Sequence, residues 1–176
     1  GSDDEIRSLA LPETQVIDLE GRRVLPGLID SHVHFYDWAI GQKHLKLENT
    51  ISLAGVLEQV VQAVRTAAPQ RWILGQGWNS VIWPEGRMPN RDDLDQIAPN
   101  NPVFLMHASL HQAVANTPAL RFAGITAETP DPPQGIIDRD SAGNPTGILR
   151  DLAMNLITGT MPHMDESDAA TAFKEG

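Results

Sequence analysis

The stretch that most narrows the folds open to this chain is Pro26-Gly27 followed by Leu28-Ile29-Asp30-Ser31-His32-Val33-His34-Phe35. A short apolar run behind a Pro-Gly break reads as a strand buried on both faces, the habit of parallel sheets covered by helices. The segments after it alternate as such a sheet requires. Leu53, Val56, Leu57, Val60, Val61 and Val64 recur at spacings of three and four, which predicts a helix over 52–67 with one apolar face. Ser52 or Thr50 can cap its start, and Pro69 lies beyond its end. Trp72 to Trp78 then reads as a strand entering a glycine-rich loop, Arg91 to Ile97 as a short helix, and Pro102 to Met106 as a second buried strand. An α/β architecture is the expectation.

Smaller elements fill the gaps. Val16 to Leu19 and Arg23 to Leu25 flank Glu20-Gly21, a hairpin signature. The run from Asn79 to Asn90 is punctuated by Pro84, Gly86 and Pro89 and predicts no regular element. Asn116-Thr117-Pro118 marks a helix start, with proline tolerated in the first turn. Gly135 to Arg139 and Thr146 to Leu149 surround Ser141-Ala142-Gly143-Asn144-Pro145, which predicts a second hairpin. Two weaker helices are expected near 151–158 and 166–175.

Charge and composition remove several classes of function. A formal net charge of -10 disfavours nucleic acid and anionic membranes, since phosphate recognition needs clustered Lys and Arg. The chain has no cysteine, so disulfides and thiolate metal sites are excluded. No apolar run approaches the roughly 20 residues that span a bilayer, and Asp3, Asp4 and Glu5 stand where a signal peptide carries basic residues. A cytoplasmic location follows as an expectation.

His32-Val33-His34 carries the chemistry. Alternate residues of a strand face the same way, so both imidazoles project to one side and offer a divalent ion two nitrogen ligands. Spacing alone leaves an ordinary pair of hydrogen-bonded histidines as the commoner outcome.

The surrounding residues shift that balance. Val24-Leu25-Pro26-Gly27-Leu28-Ile29-Asp30-Ser31-His32-Val33-His34-Phe35 resembles the opening barrel strand of the metal-dependent amidohydrolase superfamily. Gly77-Trp78-Asn79, Pro89 to Asp95, Ala98 to Val103, His111 with Asn116 and Ala119-Leu120, and Gly143 to Leu149 are similar to amidohydrolase family 3, the group of the N-substituted formamide deformylases. The resemblance implies a composite of a β-sandwich and a (β/α)8 TIM barrel, with an α/β insertion after the first barrel strand. Residues 1–25 would belong to the sandwich, 26–49 to the first barrel strand and its loop, 50–150 to the insertion acting as a cap, and 151–176 to helices returning to the barrel. Gly1-Ser2-Asp3-Asp4-Glu5-Ile6 would be a native turn after a sandwich strand, and the chain a piece of a protein roughly three times as long.

By the same resemblance His32 and His34 bind one or two divalent ions, zinc foremost, and a metal-activated water hydrolyses an amide-like C–N bond of a small-molecule substrate. The remaining ligands and the acid–base residue would lie outside this chain, leaving it inactive alone. The alternative is a truncated, non-catalytic module that binds or forms a homo-oligomer.

Other residues are weighed beside these. Asp30 shares a face with the two histidines and either orients a ligand or caps backbone. His111 matches a family histidine on the substrate side and either contacts substrate or makes a structural hydrogen bond, and Trp78 either lines the pocket beside it or packs the core. Asp151 stands where the family shows glutamate and reads as a helix-start Asp favoured by the helix dipole. His107 has no counterpart, and Trp72 and Trp83 read as packing residues.

Overall fold

A computed structural model describes residues 2–29, 31, 41–162 and 166–175, and the chain divides into two compact units, Gly1–Val33 and His34–Gly176.

In the first unit α1 spans Asp3–Arg7, where the turn of a sandwich strand was expected. Its start is a capping box: the Glu5 amide donates to Ser2 Oγ at 3.4 Å, and the Ser2 amide donates to Glu5 Oε2 at 2.6 Å. The predicted hairpin is realised only at its tip. Glu20 and Gly21 have φ of 53° and 79°, and Arg22 N–H donates to Leu19 O at 2.9 Å, as a hairpin turn requires. No strand pairs on either side of it among the described residues. Every described residue of this unit is exposed, Leu28 and Ile29 included, so the expectation of a buried strand fails over its described part. Among the described residues no strand lies beside it, and an isolated pair of short strands does not hold together in water.

The second unit carries a six-stranded sheet: β1 (Leu45–Lys46), β2 (Ile73–Trp78), β3 (Val103–His107), β4 (Gln112–Ala115), β5 (Gly135–Arg139) and β6 (Pro145–Asp151). Its helices are α2 (Leu53–Thr66), α3 (Arg91–Asp95), α4 (Thr117–Phe122), α5 (Asn155–Thr158) and α6 (Glu166–Glu175). The strand order is β1-β2-β3-β4-β6-β5. The first three strands are parallel, and the β3–β4, β4–β6 and β6–β5 pairs are antiparallel. Such mixed sheets are common where a parallel core acquires an antiparallel side.

Alternation sorts the strand residues onto two cores. Val103, Leu105, Val114 and Ile148 join Leu53, Val56 and Val60 of α2 and Leu94 of α3 on one face. Phe104, Ala113, Ala115 and Leu149 join Ala119 and Leu120 of α4 and Ile157 of α5 on the other. Helices cover both faces, the α/β arrangement expected from sequence. The predicted cap of α2 is Ser52, whose Oγ accepts from Gly55 N–H at 3.1 Å. Thr50 instead donates its hydroxyl to Leu47 O at 2.6 Å. Strand β4 escaped the sequence reading.

Asn116 ties the second unit together from a fully buried position. Its Oδ1 accepts from Val103 N–H at 2.9 Å and from Ala119 N–H at 3.1 Å, the latter capping α4. Its Nδ2 donates to Ala98 O at 3.0 Å and Asn101 O at 2.8 Å. One side chain thus joins the loop after α3, the start of β3 and the start of α4, with all four of its hydrogen-bonding positions used. Gly147 is required where it stands: its φ is 95°, and a Cβ there would collide with Ala115 O of the neighbouring strand.

Candidate functional site

Strand direction gathers the polar residues at one edge of the sheet. β1, β2 and β3 end there, at Lys46, Trp78 and His107. β6 runs the same way and ends there at Asp151, while β4 and β5 begin there at Gln112 and Gly135. The carboxyl edge of parallel strands is where open α/β sheets place their ligands, because the loops leaving it are free to carry side chains.

At this edge His111 Nδ1 lies 2.9 Å from Asp151 Oδ1. A carboxylate oxygen only accepts, so Nδ1 carries the proton and Nε2 of a neutral ring is left as an acceptor. The backbones meet as well, Asp151 N–H donating to His111 O at 2.9 Å. Arg150, one residue before Asp151, fixes this end of β6. Its Nε and Nη2 donate to the two Asp138 oxygens at 2.8 and 2.6 Å, and its Nη1 donates to Gln112 Oε1 at 3.0 Å.

Asp151 does not act as the helix-start residue read from sequence. It precedes a single 3-10 turn, Leu152–Met154, and makes no side-chain cap bond there. Its backbone, at φ 47° and ψ −126°, is one that L residues rarely adopt, and its carboxylate reaches sideways to a residue 40 positions earlier.

A cleft of about 800 Å³ opens beside the pair. Its walls combine Leu110, Ile136 and Leu152, all substantially exposed, with Gln134 and Asn155. Leu110 and Gln134 share the left-handed backbone of the site, with φ of 63° and 58°. Gly135 allows the tight seat of the 3-10 turn against β5, since a Cβ there would collide with the Ala153 backbone nitrogen.

His107 stands on the same edge over the core. Its ring meets Trp78 edge-on at 4.6 Å, and Trp78 packs against Trp83 at 5.9 Å. Ser109 N–H donates to His107 Nδ1 at 3.0 Å, with the Ser109 hydroxyl 2.9 Å from the same nitrogen. Ser109 Oγ also accepts from His111 N–H at 3.3 Å, so the turn from β3 to β4 links the two histidines. Burial pushes the His107 imidazole below its ordinary value. Burial, reinforced by the nearby Lys46 charge, does the same to His44.

Of the residues singled out in the sequence, His111 lies on the cleft and Asp151 is its partner. Trp78 reaches the same edge but is fully buried, its indole N–H donating to Leu105 O at 2.9 Å. Asp30, His32 and His34 lie outside the described residues. Among the described residues no group of three or more His, Asp and Glu side chains is arranged to hold a metal ion, and no helix is long and apolar enough to cross a membrane. Ser109, Leu110, Gln134 and Leu152 were missed in the sequence. Their types carry no signal for such a role, since neither leucine nor glutamine favours a left-handed backbone.

Comparison with known proteins places these features in context. A profile of the amidohydrolase family matches residues 15–176. The chain is 39% identical over 159 residues to the N-substituted formamide deformylase of Arthrobacter pascens, covering 89% of this chain and 29% of that protein. It is 41% identical over 145 residues to Protein LONG AFTER FAR-RED 3 of Arabidopsis thaliana, covering 82% of this chain and 25% of the other. The chain thus spans less than a third of the length of either relative. A crystal structure of an uncharacterized metal-dependent hydrolase from Pyrococcus furiosus superposes with a TM-score of 0.56 at 26% identity, over 83% of this chain and 27% of that one. The profile match takes in nearly the whole chain, from the turn at Glu20-Gly21 through the sheet and its cleft, and the chain belongs to the amidohydrolase family.

Proposed function

We propose that the protein to which this chain belongs is a metal-dependent hydrolase of amide-like C–N bonds in small molecules. One observation carries the reading: the family match runs through His32-Val33-His34 and through the segment that builds the His111–Asp151 cleft. Two imidazoles one residue apart are a donor set that suits zinc or a similar divalent ion. His32 and His34 would hold it, with Asp30 orienting one of them. When bound, such an ion lowers the pKa of its water toward neutrality and polarises a carbonyl oxygen.

The described residues act on the substrate side in this reading. His111, with its Nδ1–H bound by Asp151, presents Nε2 as an acceptor over an apolar-walled cleft. Trp78 supports that edge from within the core, through its edge-on contact with His107. Residues 50–150 would form the cap, set on a sandwich and barrel supplied by the whole protein. A catalytic zinc takes three protein ligands, and His32 with His34 make two, so turnover by these 176 residues alone is not expected.

The test uses the whole protein. Amine release from simple N-substituted amides should disappear with a chelator, return with zinc, and be lost in His32→Ala and His34→Ala. Chelator-resistant hydrolysis, or full activity in both variants, would overturn the reading.

A further inference from the structure

We propose that the His111–Asp151 cleft is a specificity site that takes an uncharged amide bearing an apolar substituent and rejects amides that carry a carboxylate. The proposal deepens the hydrolase reading and rests on it for the word substrate, though the binding it describes needs no metal.

Four features converge on this cleft. Leu110, Ile136 and Leu152 are 62%, 50% and 46% exposed, and together they give the cleft an apolar wall open to a ligand. The polar group at its rim is a histidine whose protonated nitrogen is already taken by Asp151, so Nε2 is offered to a ligand N–H. Leu110, Gln134 and Asp151 all hold positive φ, and no other stretch of the described chain brings three such non-glycine residues to one cavity. Backbone of this kind costs stability and persists where the surroundings fix a side chain for a purpose. Finally, the lining carries the Asp151 carboxylate and no Lys or Arg. The Arg150 guanidinium, whose charge reaches Asp151, is held by Asp138 and Gln112.

The chemistry of the ligand follows. An aryl or alkyl substituent covers the leucine and isoleucine walls, an amide N–H donates to His111 Nε2, and a ligand carboxylate would face Asp151 with the nearby positive charge, on Arg150, already paired with Asp138. Asp151 is a positioning residue: it fixes the imidazole and sets the charge that excludes anions.

The test uses this chain without metal at about pH 8 and two probes that differ by one group, N-phenethylacetamide and N-acetylphenylalanine. NMR titration follows the His111 ring protons and the methyls of Leu110, Ile136 and Leu152. The neutral probe should shift these signals saturably. The anionic probe should bind about three- to tenfold more weakly, the range that like charges several ångströms apart in a half-solvated site impose. Asp151→Asn keeps the shape and removes the charge, so the two affinities should draw together. Asp151→Gly relaxes the backbone and should raise the melting temperature while weakening the neutral probe. Equal binding of the two probes to the wild type, unaltered discrimination in Asp151→Asn, or no shift at His111 would each refute the proposal. Failure of the hydrolase reading shows differently, as absent amine release by the metal-loaded whole protein despite normal probe binding.

Discussion

Replacing Asn116 by alanine should be among the most damaging single changes in the second unit, and the structure gives the size of the loss. The substitution removes four hydrogen bonds from a site with no exposure. Loss of the α4 cap alone costs about 1 kcal/mol. The Val103 amide is then left buried without its acceptor, which adds about 1–3 kcal/mol. Two carbonyls, on Ala98 and Asn101, lose a donor each at smaller cost, because a carbonyl tolerates partial pairing better than an amide does. The total is about 3–5 kcal/mol, and at about 2–4 °C per kcal/mol for a domain of this size the melting temperature should fall by about 10 °C. Asn116→Asp separates the network from the cap. Aspartate caps a helix as well as asparagine does, but here its second oxygen would face two carbonyl oxygens in place of donating to them. Urea unfolding followed by tryptophan fluorescence, with Trp78 and Trp83 buried in the same core, reads both variants. If Asn116→Asp matches the wild type, or Asn116→Ala loses less than about 1 kcal/mol, the network argument is wrong.

Two further expectations come from the same unit. Burial holds the His44 and His107 imidazoles below their ordinary value, with Lys46 adding to the effect at His44. The unfolded chain then binds more protons than the folded one below about pH 6.5, so this contribution to stability is intact above that value and lost as pH falls through it. The urea midpoint should drop between about pH 7.5 and 5.5, and by less in His107→Gln; an equal drop in the variant would remove His107 from the account. Gly135→Ala should cost about 1–3 kcal/mol, because its new methyl meets the Ala153 backbone rather than a yielding side chain. Calorimetry showing an unchanged melting temperature would contradict that seat.

The sequence was informative where a residue's own neighbours decide its structure. The face of α2 followed from three- and four-residue spacing, Ser52 and Asn116 capped the helices they precede, and Ser141 to Pro145 turned between β5 and β6 as expected. It was silent where distant segments decide. β4 is four residues of weak pattern, made a strand by β3 and β6 on either side. Leu28 and Ile29 read as buried because apolar residues usually are, but burial needs a partner surface, and their unit has none among its described residues. The candidate site was half visible. His111 stood out through the family resemblance, while its bond to Asp151 spans 40 positions and depends on register between β4 and β6. The left-handed backbone at Leu110 and Gln134 is imposed by the turns they occupy, against the preference of both residue types.

The central claim, that His32 and His34 hold a divalent ion, is most directly tested by zinc titration of the chain with NMR detection of all six histidine rings. The His32 and His34 signals should move first and together at one equivalent, and that response should vanish in His32→Gln and His34→Gln. Zinc that leaves both rings unmoved while shifting the other histidines, or binding unchanged in the two variants, would contradict it.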